Sequence, residues 1–211
     1  MPKIFISYRR ADSRKDAGRI YDYLAQKFGV DNIFKDVDDI PPGYDFKELI
    51  QEVASQATVM LVIIGQQWLN ITDSFGNRRL FDENDFVRLE VEAGLSQQET
   101  LVIPVLIDNA YMPSDTELPD TMKTLTYLNA IRIRDDPDFR YDIARLTDYL
   151  SEIDDSSKFS FKDTNLDSTS YSTDKNTNGC STIHNYLNSS KLIIATLIFI
   201  RDHLKIKHKS V

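Results

Sequence analysis

Thr58-Val59-Met60-Leu61-Val62-Ile63-Ile64 is the stretch that decides the fold, because every residue after the threonine is apolar. Such an uninterrupted apolar run is typical of a strand in the middle of a parallel sheet, where helices cover both faces. Residues 101–107 form a second run of this kind. Two strands of this type predict an α/β protein built on a parallel sheet.

Weaker patterns on both sides of these runs predict three further strands and five helices. The strands are predicted at residues 3–7, 32–34 and 130–132, and the helices at residues 16–28, 45–56, 85–94, 121–128 and 139–153. Asp45 is the predicted N-cap of the second helix, and Asn84 or Asp82 that of the third. Strands and helices then alternate, which predicts a flavodoxin-like three-layer sandwich with a five-stranded parallel sheet of strand order 2-1-3-4-5.

Charge and composition exclude several classes of function. The formal net charge is −8, whereas a nucleic-acid partner calls for a basic face, so no nucleic-acid partner is expected. All three histidines and the single cysteine lie beyond residue 179. Residues 1–150 therefore contain no His or Cys metal site, no Ser-His-Asp triad and no Cys-His pair. The acidic loop at residues 35–44 lacks the glycine and glutamate positions of a calcium loop, so no metal is expected there.

The two ends of the chain predict its location and its domain boundaries. The N-terminus has no basic start followed by an apolar run, so we expect no signal peptide and a cytoplasmic location. Residues 1–152 form the predicted domain, and residues 153–190 are rich in Ser, Thr, Asn and Asp, which predicts a disordered linker in the C-terminal tail.

Residues 191–211 are first apolar and then basic. Their apolar run, Leu192–Ile200, is too short to cross a membrane, which needs about 20 residues. Three interpretations stay open for this segment: an anchor with weak membrane contact, a short helix that pairs with a partner, and the remnant of a longer chain.

The predicted helix at residues 85–94 carries a carboxylate on its apolar face. At about 100° per residue, Glu90 falls between Phe86 and Gly94, inside the arc of apolar side chains. A carboxylate in that position loses its water, which is costly unless it has a partner or a function. Two interpretations remain open: a functional carboxylate in a cleft, and a structural ion pair with Arg9 or Arg10.

Polar residues follow the first predicted strand and the second. Tyr8, Arg9 and Arg10 come directly after the first strand, and ligands of open α/β sheets bind at the carboxyl ends of strands. Arginines in that position can bind phosphate bidentately, although a solvated turn explains them as well. The loop at residues 35–44, with two prolines and a glycine, predicts a stiff and exposed contact surface.

Several short motifs, in the same order, resemble those of Toll/interleukin-receptor (TIR) domains. Residues 5–10 resemble the opening motif of the family, and residues 34–43 resemble its BB loop, between strand two and helix two. Residues 85–90 resemble the third-helix motif of aspartate, aromatic residue, valine, basic residue, any residue and glutamate. Residues 103–106 and 118–119 are similar to bacterial members. The resemblance covers residues 1–152.

The resemblance implies one of two functions. Members of the NAD+-cleaving branch use the glutamate of the third-helix motif as catalytic residue, and this position is Glu90 here. NAD+ is then the substrate, no cofactor is needed, and a role in bacterial defence or cell-death signalling is expected. Other members are non-enzymatic adaptors that act by homotypic association. Phe86 stands where some enzymatic relatives carry tryptophan.

In the enzymatic interpretation a single carboxylate suffices. The cationic nicotinamide ring leaves as a neutral molecule and needs no acid, whereas ordinary glycosidases need two carboxylates. The residues expected to bind the substrate are Ser7, Tyr8, Arg9, Arg10, Asp85 and Phe86. The resemblance also implies a head-to-tail homo-oligomer in which the BB loop of a neighbouring copy completes the pocket. The residues expected in that contact are Asp39, Pro41, Pro42, Gly43 and Tyr44.

Overall fold

Five parallel strands form one sheet in the computed structural model, which describes residues 1–35 and 46–153. The strands are β1 Ile4–Tyr8, β2 Ile33–Lys35, β3 Val59–Ile64, β4 Leu101–Leu106 and β5 Ile131–Arg132. Their order is β2-β1-β3-β4-β5, which confirms the predicted topology. Residues 36–45 and the residues after 153 lie outside the described part of the chain, and with them the predicted contact loop, linker and C-terminal segment.

The strand β3 is the centre of the sheet, as its apolar run predicts. All six of its residues are buried, and it pairs with β1 on one side and β4 on the other. The register sets Ser7 of β1 opposite Val62 and Tyr8 opposite Ile63. The carboxyl end of β1 therefore lies beside the carboxyl end of β3, where the strand order changes direction.

Helices cover both faces of the sheet. They are α1 Arg10–Phe28, α2 Phe46–Gln56, α3 Phe86–Ser96 and α4 Phe139–Ser151, and the short helix predicted before β5 is a 3-10 helix at Asp120–Tyr127. Buried side chains of α1 and α4 form one apolar cluster with the sheet, and those of α2, α3 and the 3-10 helix form the other. The predicted three-layer arrangement is thereby confirmed.

The helix α1 begins six residues earlier than predicted. Its first turn is irregular, because Ser13 has φ −127° and ψ 19°, and the N–H groups of Asp12 and Ser13 both donate to the Arg9 carbonyl. The Asp12 carboxylate accepts hydrogen bonds from the N–H groups of Gly65 and Gln67 at 3.0 and 2.8 Å. A tertiary contact to the end of β3 therefore holds this turn, and the apolar periodicity of the sequence does not reveal it.

The helix α3 lies very close to the central strand. A Cβ at Gly94 would overlap the end of the Met60 side chain, so any larger residue there would force that side chain to move. Val87 and Val91, one helical turn apart, are buried on the side of the helix that carries Gly94. This contact sets the depth at which the rest of α3 meets the sheet.

Within the described residues, no helix has both the length and the apolar character that a membrane span requires.

Candidate functional site

Glu90 lies on the buried face of α3 and contacts the end of β1. Its side chain is only 6% exposed, which confirms the desolvation that the helical pattern predicts. The Ser7 hydroxyl donates a hydrogen bond of 2.7 Å to Glu90 Oε2. Ser7 is itself fully buried. A short bond from a hydroxyl to a carboxylate is of the stronger, charge-assisted class, so it fixes the carboxylate at the carboxyl end of β1.

Asp85 begins α3 and joins it to the same strand end. Its Oδ1 accepts the N–H of Arg88 at 3.1 Å, so Asp85 is the N-cap and the prediction of Asn84 or Asp82 was wrong. The Asp82 side chain instead accepts the N–H of Asn84 in the preceding turn. The physical reason is the orientation of Asp85, whose extended backbone turns its carboxylate onto the first helical N–H groups.

Arg9 forms a buried bidentate ion pair with Asp85. Its Nη1 and Nη2 donate to the two carboxylate oxygens at 3.0 and 2.9 Å, and the two residues are 2% and 3% exposed. A phosphate contact from Arg9 stays a prediction, and Arg9 would have to leave this pair to make it. Separating a buried pair costs roughly 3–5 kcal/mol. Arg9 thus supports the start of α3.

The other predicted substrate-binding residues lie around this centre in different ways. Phe86, one turn before Glu90, is 43% exposed, so its ring is accessible from solvent. Arg10 is exposed at the first residue of α1. Tyr8 packs against the apolar cluster of α1 and α4, on the sheet face opposite to the one where Ser7 meets Glu90. Neighbouring residues of a strand point to opposite faces, and this explains the separation of Tyr8 from Ser7.

Arg79 is a site residue that the sequence patterns missed. Its Nε lies 3.2 Å from Asp85 Oδ2, so two guanidinium groups meet at one carboxylate. Arg79 belongs to a short 3-10 helix at Arg79–Phe81 in the connection between β3 and α3. No periodicity links that irregular connection to the helix cap, and the sequence therefore offers no signal for this contact.

The comparison with protein families decides the family. A family model described as "TIR domain" matches residues 4–147. The chain belongs to the TIR domain family. Among curated proteins, no sequence gives a significant match.

The fold resembles that of a solved TIR structure. The TIR domains of the activated Roq1 resistosome, which directly recognizes the pathogen effector XopQ, give a TM-score of 0.53 at 13% identity over 71% of this chain and 99% of that chain. The TIR domain of the Toll-related receptor TRR-2 from Hydra magnipapillata gives 0.49 at 16% identity, over 72% of this chain and 100% of that one. At 13% identity, the likeness to the Roq1 domains concerns the fold alone.

A second group of carboxylates lies at the carboxyl ends of β4 and β5. Asp16 of α1 meets Asp108 and Asp135, from the loops after β4 and β5, with oxygens within 4.8 Å of one another. Burial raises the pKa of Asp16, and the neighbouring Asp108 and Asp135 carboxylates raise it further. Arg19 offsets this charge through contacts of 3.2 Å to Asp135 and 2.8 Å to Asp136. Among the described residues, these three carboxylates have the spacing of metal ligands.

Proposed function

We propose that this TIR domain cleaves the bond between nicotinamide and ribose in NAD+, with Glu90 as the catalytic residue. The observation that carries the proposal is the buried Glu90 carboxylate, which the Ser7 hydroxyl holds at the end of β1. Membership of the TIR family adds support, because the stretch that resembles the family's third-helix motif ends at this residue. The bond that breaks is the C–N bond between ribose C1′ and the ring nitrogen.

The chemistry needs one negative charge near the ribose. The bonding electrons leave with the pyridinium nitrogen, so nicotinamide departs as a neutral molecule and positive charge develops on the ribose. A preorganised carboxylate in a site with little water stabilises that oxocarbenium-like transition state electrostatically. Water then attacks C1′, which yields ADP-ribose and a proton, or an internal adenine nitrogen attacks, which yields a cyclic ADP-ribose.

The location of Glu90, on α3 and bonded to the end of β1, supports the proposal. In open α/β sheets, ligands bind outside the carboxyl ends of the strands, at the point where the strand order reverses. Here that point lies between β1 and β3. Ser7 is the fourth of the five residues of β1, so the carboxylate that it holds lies at this edge of the sheet.

The neighbours of Glu90 suit the remaining parts of NAD+. We assign the accessible ring of Phe86 to stacking on an aromatic ring of the substrate, and the exposed Arg10 at the start of α1 to the pyrophosphate. Helix N-termini also favour anions. Arg9 and Asp85 hold the helix that carries Glu90. A homo-oligomer with head-to-tail contacts through residues 39–44 remains part of the proposal, so activity should rise with protein concentration.

A direct assay tests the proposal. Concentrated protein is incubated with NAD+, and nicotinamide, ADP-ribose and cyclic products are separated and quantified. Glu90→Gln and Glu90→Ala should abolish NAD+ loss. Glu92→Gln is the matched control, because Glu92 is on the same helix but bonds to Arg88 and Thr121. Wild-type rates in Glu90→Ala would remove the catalytic assignment.

A second candidate is a non-enzymatic adaptor that acts by homotypic association. The bond from Ser7 satisfies the Glu90 carboxylate, and a carboxylate with a purely structural role would show such a bond too. This candidate predicts no nicotinamide release at any protein concentration. It also predicts that Pro42→His in the contact loop abolishes self-association, which sedimentation velocity measures.

A further inference from the structure

Two guanidinium groups of unequal exposure converge on the Asp85 carboxylate. The Arg9 side chain is 3% exposed and bonds both oxygens, so it alone neutralises the buried charge. The Arg79 side chain is 43% exposed and adds one contact of 3.2 Å to Oδ2. Burial of Asp85 does not require this second cation. Arg79 restricts the orientation of the Asp85 carboxylate, because it approaches from the β3–α3 connection whereas Arg9 approaches from the end of β1.

The backbone that carries Arg79 is held in place. Its N–H donates to the Ile71 carbonyl at 2.9 Å, and Thr72 and Arg78 form an antiparallel bridge. The Asp73 carboxylate closes the turn between them, because its Oδ1 accepts the N–H groups of Phe75 and Asn77 at 2.8 and 2.9 Å. Arg79 is therefore presented to Asp85 from a rigid turn at residues 71–79.

The same connection contacts α3 at a second place. Arg88 Nη1 donates to the Phe81 carbonyl at 3.0 Å, one turn along the helix from the cap. Toward the other end of the helix, Gly94 packs against the Met60 side chain of β3. The Glu90 carboxylate lies between these attachments and meets Ser7 on β1. A rotation of α3 about its axis would carry this carboxylate away from Ser7, and a shift of about 1 Å at a reacting group can cost on the order of 100-fold in rate.

We propose that Arg79 is a positioning residue for Glu90, which it reaches through Asp85 and the start of α3. The inference rests on the proposed NAD+ cleavage. Arg79 contacts Asp85, and Asp85 caps the helix that carries Glu90. Arg79 thereby limits the rotation of α3, the helix that carries Glu90. The irregular β3–α3 connection thus helps to set the geometry of the site.

The test compares two neighbouring arginines. Arg79→Gln removes the contact to Asp85, and Arg78→Gln makes the same change of charge at an exposed residue one position earlier. We expect Arg79→Gln to lower kcat for NAD+ cleavage about 10-fold with KM unchanged, the pattern of a contact that matters only in the transition state. Arg78→Gln should stay within about twofold of wild type. Arg79→Lys, which keeps the cation, should recover most of the lost rate.

A second measurement does not depend on activity. The amide of Arg88 donates to Asp85 Oδ1, so its hydrogen exchange reports the first turn of α3. It should exchange several times faster in Arg79→Gln than in wild type or Arg78→Gln, while the fluorescence of the buried Trp68 stays that of the folded protein. If wild type does not cleave NAD+, the proposed function fails, and the exchange result still reports whether Arg79 holds α3.

Two results would overturn the inference. One is equal kcat and equal Arg88 exchange in Arg79→Gln and Arg78→Gln. The other is a loss of rate in Arg79→Gln that Arg79→Lys does not recover and that parallels a loss of the folded Trp68 signal, because this pattern marks a role in global stability alone.

Discussion

Two groups of carboxylates lie at the carboxyl edge of one sheet, and their surroundings differ in how they stabilise negative charge. Near β1 and α3, Asp85 and Glu90 are buried and each has a dedicated donor, Arg9 for one and Ser7 for the other. Near β4 and β5, Asp16, Asp108 and Asp135 crowd together with partial exposure. Individual partners fix the position of a charge, whereas crowding raises the free energy of the ionised state. The first arrangement suits a group that must be held in place for chemistry.

The largest effect on stability should come from Asp85→Ala. This change leaves the Arg9 guanidinium buried without its bidentate partner and removes the N-cap of α3. Removing one partner of a buried pair costs about 3–5 kcal/mol in the free energy of unfolding. Urea unfolding followed by Trp68 fluorescence measures it. A loss below about 1 kcal/mol would mean that the pair behaves like an exposed one.

Ser7→Ala should have a smaller effect on stability and a clear effect on rate. It removes the hydroxyl that donates to Glu90 Oε2 at 2.7 Å. Hydrogen bonds to charged groups contribute about 1.5–3 kcal/mol, so the free energy of unfolding should fall by about that amount. The rate of NAD+ cleavage should fall as well, because the carboxylate gains freedom. Unchanged stability and rate together would show that Glu90 does not depend on Ser7.

The smallest effect should come from the crowded group, and with the opposite sign. Since the pKa of Asp16 is raised in the folded protein, the fold loses stability as the pH rises through that pKa. Asp108→Asn removes a neighbouring charge that raises this pKa, and Asn tolerates the positive φ of 49° at residue 108. The variant should therefore gain a few tenths of a kcal/mol at neutral pH, since the groups are partly exposed.

The pH dependence of that gain is the control. Below the ordinary Asp pKa of 3.8, Asp16 is protonated in both the folded and the unfolded state, so the gain should vanish there. Urea unfolding of wild type and Asp108→Asn at neutral pH and at about pH 3 measures the difference. A stability loss in Asp108→Asn at neutral pH would contradict the assignment of repulsion to this cluster.

The sequence predicts the fold and the burial of Glu90 well, for a physical reason. Apolar runs such as residues 58–64 and the helical pattern around Glu90 are periodic, and periodicity reports which face of an element is covered. It does not report which atoms meet there. The pair of Arg9 and Asp85 joins residues 76 positions apart, and Arg79 reaches Asp85 from an irregular connection.

The early start of α1 escaped prediction for a similar reason. Its first turn is held by the carboxylate of Asp12 on the end of β3, which is a tertiary contact. The cap of α3 shows the opposite case, because Asp82, Asn84 and Asp85 are all good caps and only the backbone geometry selects among them. Patterns thus define the scaffold, and contacts between distant residues define the site.

The most direct test of the central claim is the rate of NAD+ consumption by Glu90→Gln beside Glu92→Gln, at the same high protein concentration. Glu90→Gln should lose at least about 100-fold in rate, the scale at which preorganised electrostatic groups act, while Glu92→Gln should keep nearly all of it. Both variants should retain the Trp68 fluorescence of the folded protein. NAD+ consumption by Glu90→Gln at the wild-type rate would contradict a catalytic role for Glu90.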